Sequence, residues 1–137
     1  MRLIPVLALS LMAAPPLVAQ EFLTFKSPSG NILCALYDDS DPGARCDMSE
    51  LTPSYTQPPA ECEFDWGASF AIGAGAAEGE LACVSDAIAN PNETPVLPYG
   101  ATVSFGGVSC RSAETGITCV NNAGHGFALA KKKQRLF

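Results

Sequence analysis

Six cysteines, Cys34, Cys46, Cys62, Cys83, Cys110 and Cys119, in a chain of 137 residues constrain the fold more than any other feature of this sequence. A chain this short buries a limited core, and small exported domains compensate with cross-links. The N-terminus bears on whether these thiols can oxidise. Met1-Arg2 is a short positive start, Leu3 to Val18 is an apolar run, and small residues near Ala19 fit a signal-peptidase site. Residues 1–20 therefore read as a cleaved secretory signal peptide, and 21–137 as one disulfide-rich β-domain with a basic C-terminal tail. As a membrane span the run is at the short limit and Pro5, Pro15 and Pro16 interrupt it, so no stable membrane insertion is expected after cleavage. The expected location is secreted, periplasmic or extracellular.

Several connectivities are open in principle, and spacing favours the sequential one: Cys34 with Cys46, Cys62 with Cys83, Cys110 with Cys119. By the chain-entropy argument each such loop contributes about 3 kcal/mol, a large share of a small domain's stability. An even count leaves no obvious thiol as a nucleophile. No Cys-x-x-Cys occurs and there is one histidine, so neither a metal nor any other cofactor is expected.

The pairing fixes strand registers. With Cys34 opposite Cys46, Leu36 opposes Ala44 and Tyr37 opposes Gly43, which leaves Asp38-Asp39-Ser40-Asp41-Pro42 as the loop. With Cys110 opposite Cys119, Arg111 opposes Thr118, Ser112 opposes Ile117, and Ala113-Glu114-Thr115-Gly116 is a four-residue loop. Between them, Glu61 to Gly67 alternates, which predicts a strand with Cys62, Phe64 and Trp66 facing inward and Glu61, Glu63 and Asp65 facing out. Glu80 to Ser85 predicts a partner strand carrying Cys83, and one turn of helix is expected near Ser49 to Leu51. Phe127, Leu129 and Leu136 give a last strand its apolar face. No sustained helical repeat occurs after the leader, so the class is all-β: a small disulfide-stapled antiparallel β-sandwich or partly open barrel, with about six to eight short strands. Gly30-Asn31-Ile32-Leu33-Cys34 and Gly116-Ile117-Thr118-Cys119 echo one another, which reads as two strands that each start after a glycine turn.

Charge is segregated. Without the leader, and before Lys131-Lys132-Lys133-Gln134-Arg135, the chain carries 3 basic and 14 acidic residues, or −11. Phosphate contacts need clustered Lys and Arg, so nucleic acid is not an expected partner. The basic run reads as a solvated tail. The acidic loop Asp38 to Gly43 lacks the spaced carboxylates of an EF-hand and reads as a solvated hairpin tip.

No catalytic residue is assigned. Three residues are candidates for ligand binding: His125, between two glycines that let backbone or ligand come close; Tyr99, an aromatic in a turn; and Asp86, a carboxylate that could serve His125. No Gly-x-Ser-x-Gly elbow occurs, so a hydrolase using His125 with Asp86 or a serine has no supporting motif.

Phe25-Lys26-Ser27-Pro28-Ser29-Gly30-Asn31-Ile32 with Cys34, Arg45-Cys46-Asp47, Cys83 with Ser85-Asp86, Leu97-Pro98-Tyr99-Gly100, the Cys110 to Cys119 spacing and Gly124-His125-Gly126-Phe127 form a joint pattern. It resembles a family of small secreted bacterial proteins classed as a domain of unknown function. The resemblance implies a bacterial exported protein with a shared disulfide framework, and brings no activity. The expected function is a non-enzymatic binding or interaction module whose partner is a protein or an envelope component. The first alternative is a secreted inhibitor of an envelope-degrading hydrolase, and behind it stands a small hydrolase using His125.

Overall fold

The computed structural model describes residues 10–15 and 22–137. The signal peptide expected over 1–20 lies for the most part outside the described residues. Among the described residues no helix is long and apolar enough to cross a membrane.

Ten strands occur among the described residues: β1 (Phe22–Lys26), β2 (Ile32–Tyr37), β3 (Gly43–Met48), β4 (Ser69–Gly73), β5 (Glu80–Leu81), β6 (Thr102–Phe105), β7 (Val108–Ala113), β8 (Gly116–Asn121), β9 (Gly126–Ala130) and β10 (Lys133–Leu136). The chain is all-β, and β1 to β5 form one antiparallel sheet in chain order while β6 to β10 form a second. Neither sheet closes on itself, so the architecture is a sandwich of two meanders. Ten strands exceed the expected six to eight because tight turns divide runs that read as single segments.

The three disulfides are Cys34–Cys46, Cys62–Cys83 and Cys110–Cys119. The first and third join directly opposed residues, with Cα atoms 4.1 Å apart in each, the close spacing of an antiparallel pair. Following the register outward from each gives a continuous row. In the N-terminal sheet it reads Phe25, Cys34, Cys46, Phe70, Leu81, and in the C-terminal sheet Val103, Cys110, Cys119, Phe127, Leu136. Strand for strand, both rows run aliphatic or aromatic, cysteine, cysteine, phenylalanine, leucine. They face each other across the core: Cys46 Sγ lies 3.9 Å from Cys119 Sγ, and the Phe70 and Phe127 ring centroids are 6.5 Å apart.

The echo seen in the sequence is therefore real but out of register. Gly43-Ala44-Arg45-Cys46 of β3, not Gly30 to Cys34 of β2, is the counterpart of Gly116-Ile117-Thr118-Cys119 of β8. Both glycines open their strand against the neighbouring one. A Cβ on Gly43 would strike the Ile72 carbonyl of β4, and one on Gly116 would strike the Leu129 carbonyl of β9, so only glycine allows the approach.

Several expectations fail. Cys62 to Trp66 is not a strand, apart from a single bridge of Asp65 to Val84, and Phe64 and Trp66 are 60 % and 36 % exposed. The free edge of β3 is already taken by β4, whose Phe70 and Ile72 fill the core, so the alternating segment has no sheet position left. The strand after it shrinks to Glu80–Leu81, and Cys83 lies beyond it. No helical turn forms at Ser49 to Leu51; a 3₁₀ turn forms instead at Pro91–Glu93, where Asn90 Oδ1 accepts from the Asn92 N–H. The β7–β8 loop is two residues, Glu114 and Thr115, because Ala113 and Gly116 still pair.

The basic run keeps its charged side chains in solvent but is a strand, not a tail. Lys133–Leu136 folds back onto β9, with Gln134 buried, and the segment around Ser54 covers its outer edge. There Ser54 N donates to Gln134 Oε1, Gln134 N donates to Ser54 Oγ, and Leu136 N donates to the Tyr55 hydroxyl. An edge strand covered in this way is protected from pairing with another chain.

Candidate functional site

The three ligand-binding candidates fall in three separate places. His125 sits in the turn between β8 and β9, held by its backbone: its N–H donates to Asn121 Oδ1 and its carbonyl accepts from Asn121 N. The imidazole makes no hydrogen bond to a serine or carboxylate among the described residues. Asn121 is buried, and its Nδ2 donates to the carbonyls of Gly73 at the end of β4 and of Ala76 in the turn that follows, so this residue ties the two sheets together at that end. The flanking glycines thus shape a turn whose anchor is Asn121, not His125.

Asp86 lies on the outer face of the N-terminal sheet. Its Oδ1 and its carbonyl accept from Arg45, at 3.2 and 2.7 Å, while Asp47 takes two further bonds from the same guanidinium at 2.9 and 2.8 Å. Arg45 loses solvation here, but the two carboxylates outweigh that loss and push its pKa above the ordinary value. The Asp86 carboxylate is therefore engaged with Arg45, and it does not converge with His125.

Tyr99, half exposed, lines an open cleft of about 490 Å³ at the opposite end of the sandwich from His125. Strand β8 gives the scale, since it runs from the cleft at Gly116 to Asn121, roughly 17 Å at the usual rise. The cleft gathers pieces distant in sequence: the β1–β2 turn through Ser29 and Asn31, the β7–β8 turn through Glu114 and Thr115, and Lys131. Asn31 shapes the wall, its Nδ2 donating to the Glu50 carbonyl and its Oδ1 accepting from Glu50 N. The Lys131 ammonium, 2.9 Å from Glu50, holds that carboxyl below the usual range.

A fourth place reads as core in the sequence, because its alternation mimics a half-buried strand. The loop Glu61 to Gly67 presents Phe64 and Trp66 to solvent among Glu61, Glu63 and Asp65. Its backbone is pinned on several sides. Cys62 is bridged to Cys83, Asp65 and Val84 exchange two backbone hydrogen bonds at 3.0 and 2.9 Å, and the next residues are held to the sheet by Asp86 on Arg45. Glu61 adopts φ 58°, a left-handed conformation uncommon outside glycine and maintained here beside the bridge. From Cys46 to Cys110 the sequence contains no lysine or arginine, but holds Asp47, Glu50, Glu61, Glu63, Asp65, Glu78, Glu80, Asp86 and Glu93. The exposed aromatics thus stand in a field of one sign. The signal that could have found them is the pair of prolines, Pro58-Pro59, just before the alternation, which argues against a sheet interior.

No titratable cluster among the described residues offers free metal-binding sulfur. Cys34, Cys46 and Cys119 bring their sulfurs together in the core, but each is spent in a disulfide and none is a thiolate.

No curated protein and no solved structure matches the chain. A family described as "Family of unknown function (DUF6636)" matches residues 3–137, nearly the full length. The disulfide-stapled sandwich described above belongs to a member of that family of unknown function.

Proposed function

We propose that this chain is a non-enzymatic interaction module of an oxidising, exported space, and that the Cys62–Cys83 loop is the surface through which it engages a basic protein partner. The observation that carries the reading is the pair of exposed aromatics, Phe64 and Trp66, on a backbone fixed by a disulfide and ringed by acids. Large aromatics in solvent supply most of the binding energy at protein interfaces, and a fixed loop loses little entropy on docking. The acidic surround selects for cationic partners and speeds encounter. Three disulfides support an oxidising location.

The test is affinity capture from the exported fraction of the native cell, with the wild-type chain and a Phe64→Ser/Trp66→Ser variant as parallel baits. A basic protein held by the first, lost from the second and released by salt supports the proposal. Retention on both baits would move the interface elsewhere.

A narrower reading, inhibition of an envelope-degrading hydrolase, is favoured by the same rigid loop. It combines locked backbone, protruding aromatics and carboxylates suited to a basic active-site cleft. Addition of the purified chain to lysozyme and common proteases tests it, and undiminished hydrolysis removes it.

A further inference from the structure

The outer face of the C-terminal sheet carries a second, oppositely charged surface. Its register aligns Arg111 of β7, Thr118 of β8, Ala128 of β9 and Arg135 of β10 in one row. Beside that row Lys133 pairs with Ala130, and Ala113 with Gly116. Arg111, Thr118, Lys133 and Arg135 are exposed, while the alternating residues Cys110, Cys119, Phe127 and Gln134 are buried, so the row points outward. Four adjacent strands place the two arginine Cα atoms about 14 Å apart. Between and beside them the floor is made of small side chains, and a recess of about 230 Å³ opens over Thr118, Ala128, Ala130 and Lys133.

Among the described residues these cations form no ion pair. The ion pairs among the described residues are Arg45 with Asp47, Arg45 with Asp86, and Lys131 with Glu50, which leaves Arg111, Lys133 and Arg135 without a carboxylate. The Arg135 guanidinium stacks on the Phe137 ring at 4.4 Å, a contact that fixes its plane without using its N–H donors. Hydroxyls extend the face, with Ser104 and Ser109 paired at 2.6 Å beside exposed Thr102.

We propose that this face binds an anionic polysaccharide, with Arg111 and Arg135 gripping acidic groups at two points along the strand and Lys133 and the serine and threonine hydroxyls serving the sugar between them. Guanidinium forks suit carboxylate and sulfate groups, and a flat floor of small residues admits a linear polymer. A single-stranded nucleic acid would want aromatic platforms, and the ring on this face, Phe137, already carries Arg135. The net acidic remainder of the chain repels polyanions, which favours their binding through this face.

Heparin serves as the probe, with the full chain and the variants Arg111→Gln, Arg135→Gln, their double, and Lys132→Gln, which changes the β9–β10 turn outside the row. Melting temperatures confirm folding, and Lys133→Gln replaces either arginine variant should one unfold. The expected result is salt-sensitive binding, weakened about tenfold by each arginine variant and abolished in the double, with Lys132→Gln within about twofold of wild type. Wild-type binding by the double variant would overturn the proposal, as would an equal loss in Lys132→Gln. Competition by single-stranded DNA as strong as by heparin, or salt-sensitive self-association in place of heparin binding, would overturn it too.

Discussion

The two sheets share one solution to the core and differ in everything attached to it. Their central rows match strand for strand, from Phe25 to Leu81 and from Val103 to Leu136, and their central bridges touch through Cys46 and Cys119. Between β8 and β9 the chain needs residues 122–125; between the corresponding β3 and β4 it spends residues 49–68. That longer excursion covers the edge of β10, contributes to the cleft and displays Phe64 and Trp66. The outer faces diverge as well, since Arg45 is neutralised by Asp47 and Asp86 whereas Arg111 and Arg135 have no such partner among the described residues. The lesson is that a repeated core makes stability and the departures from the repeat make surfaces, in keeping with function lying on loops set by a rigid scaffold.

The strongest way to break this equivalence is to remove the bridges. C34A/C46A and C110A/C119A are each expected to cost about 3–5 kcal/mol in denaturant unfolding, from lost loop closure and lost sulfur packing in a fully buried site. Equal costs would show the two bridges to be equivalent; a gap of several kcal/mol would show that one sheet depends on its bridge more than the other. Loss of the peripheral bridge in C62A/C83A should cost about 3 kcal/mol, from loop closure without core packing, while disabling partner capture.

Next in size are the paired glycines. Gly43→Ala and Gly116→Ala each force a methyl into a neighbouring carbonyl, at an expected cost of about 2–4 kcal/mol, read from the shift in melting temperature. Gly116→Ala should be the worse of the two, because its φ of 144° adds backbone strain.

A smaller effect separates the outer faces by pH. Burial pushes the Tyr37 hydroxyl up to about 12, with Asp39, Asp47 and Asp41 adding to the rise and Arg45 opposing it. The folded state thus keeps its proton where the unfolded chain, titrating near 10, has lost it. Stability from this group is complete below pH 10 and falls as pH rises from about 10 to 12, by on the order of 1 kcal/mol after allowance for solvent screening. Melting curves across that range for wild type and Tyr37→Phe check it, and identical slopes would refute the assignment.

The smallest concerns a mismatch between the halves. Ser112 occupies the place that Leu36 holds in the other sheet, fully buried, and its Oγ has no hydrogen-bond partner among the described residues. Ser112→Ala should therefore raise stability by about 0.5–1 kcal/mol, and a fall in melting temperature would show that the hydroxyl has a role.

Much of this fold was legible before any coordinates. The registers of Leu36 with Ala44 and Arg111 with Thr118 follow from hairpin geometry, because residues opposite a bridged pair have no freedom to slip. The site was less so. Phe64 and Trp66 alternate with acids as core residues do, and periodicity cannot tell whether a sheet edge remains for them. Lys131 to Arg135 reads as solvent-loving, and its four basic residues are exposed, while Gln134 among them is buried by contacts with Ser54 from far along the chain. Composition also hid the basic face, because Arg111 and Arg135 are separated in sequence and adjoin only through the order of four strands.

By itself the sequence determined the all-β class, the oxidised framework and the two local hairpins, since these depend on neighbours close along the chain. Long-range packing decided that the two cysteine rows stack, that the β3 edge belongs to β4, and that Arg111 and Arg135 share one outer face. Those outcomes depend on which distant strands compete for the same edge and the same core volume, and a competition of that kind leaves no period in the sequence.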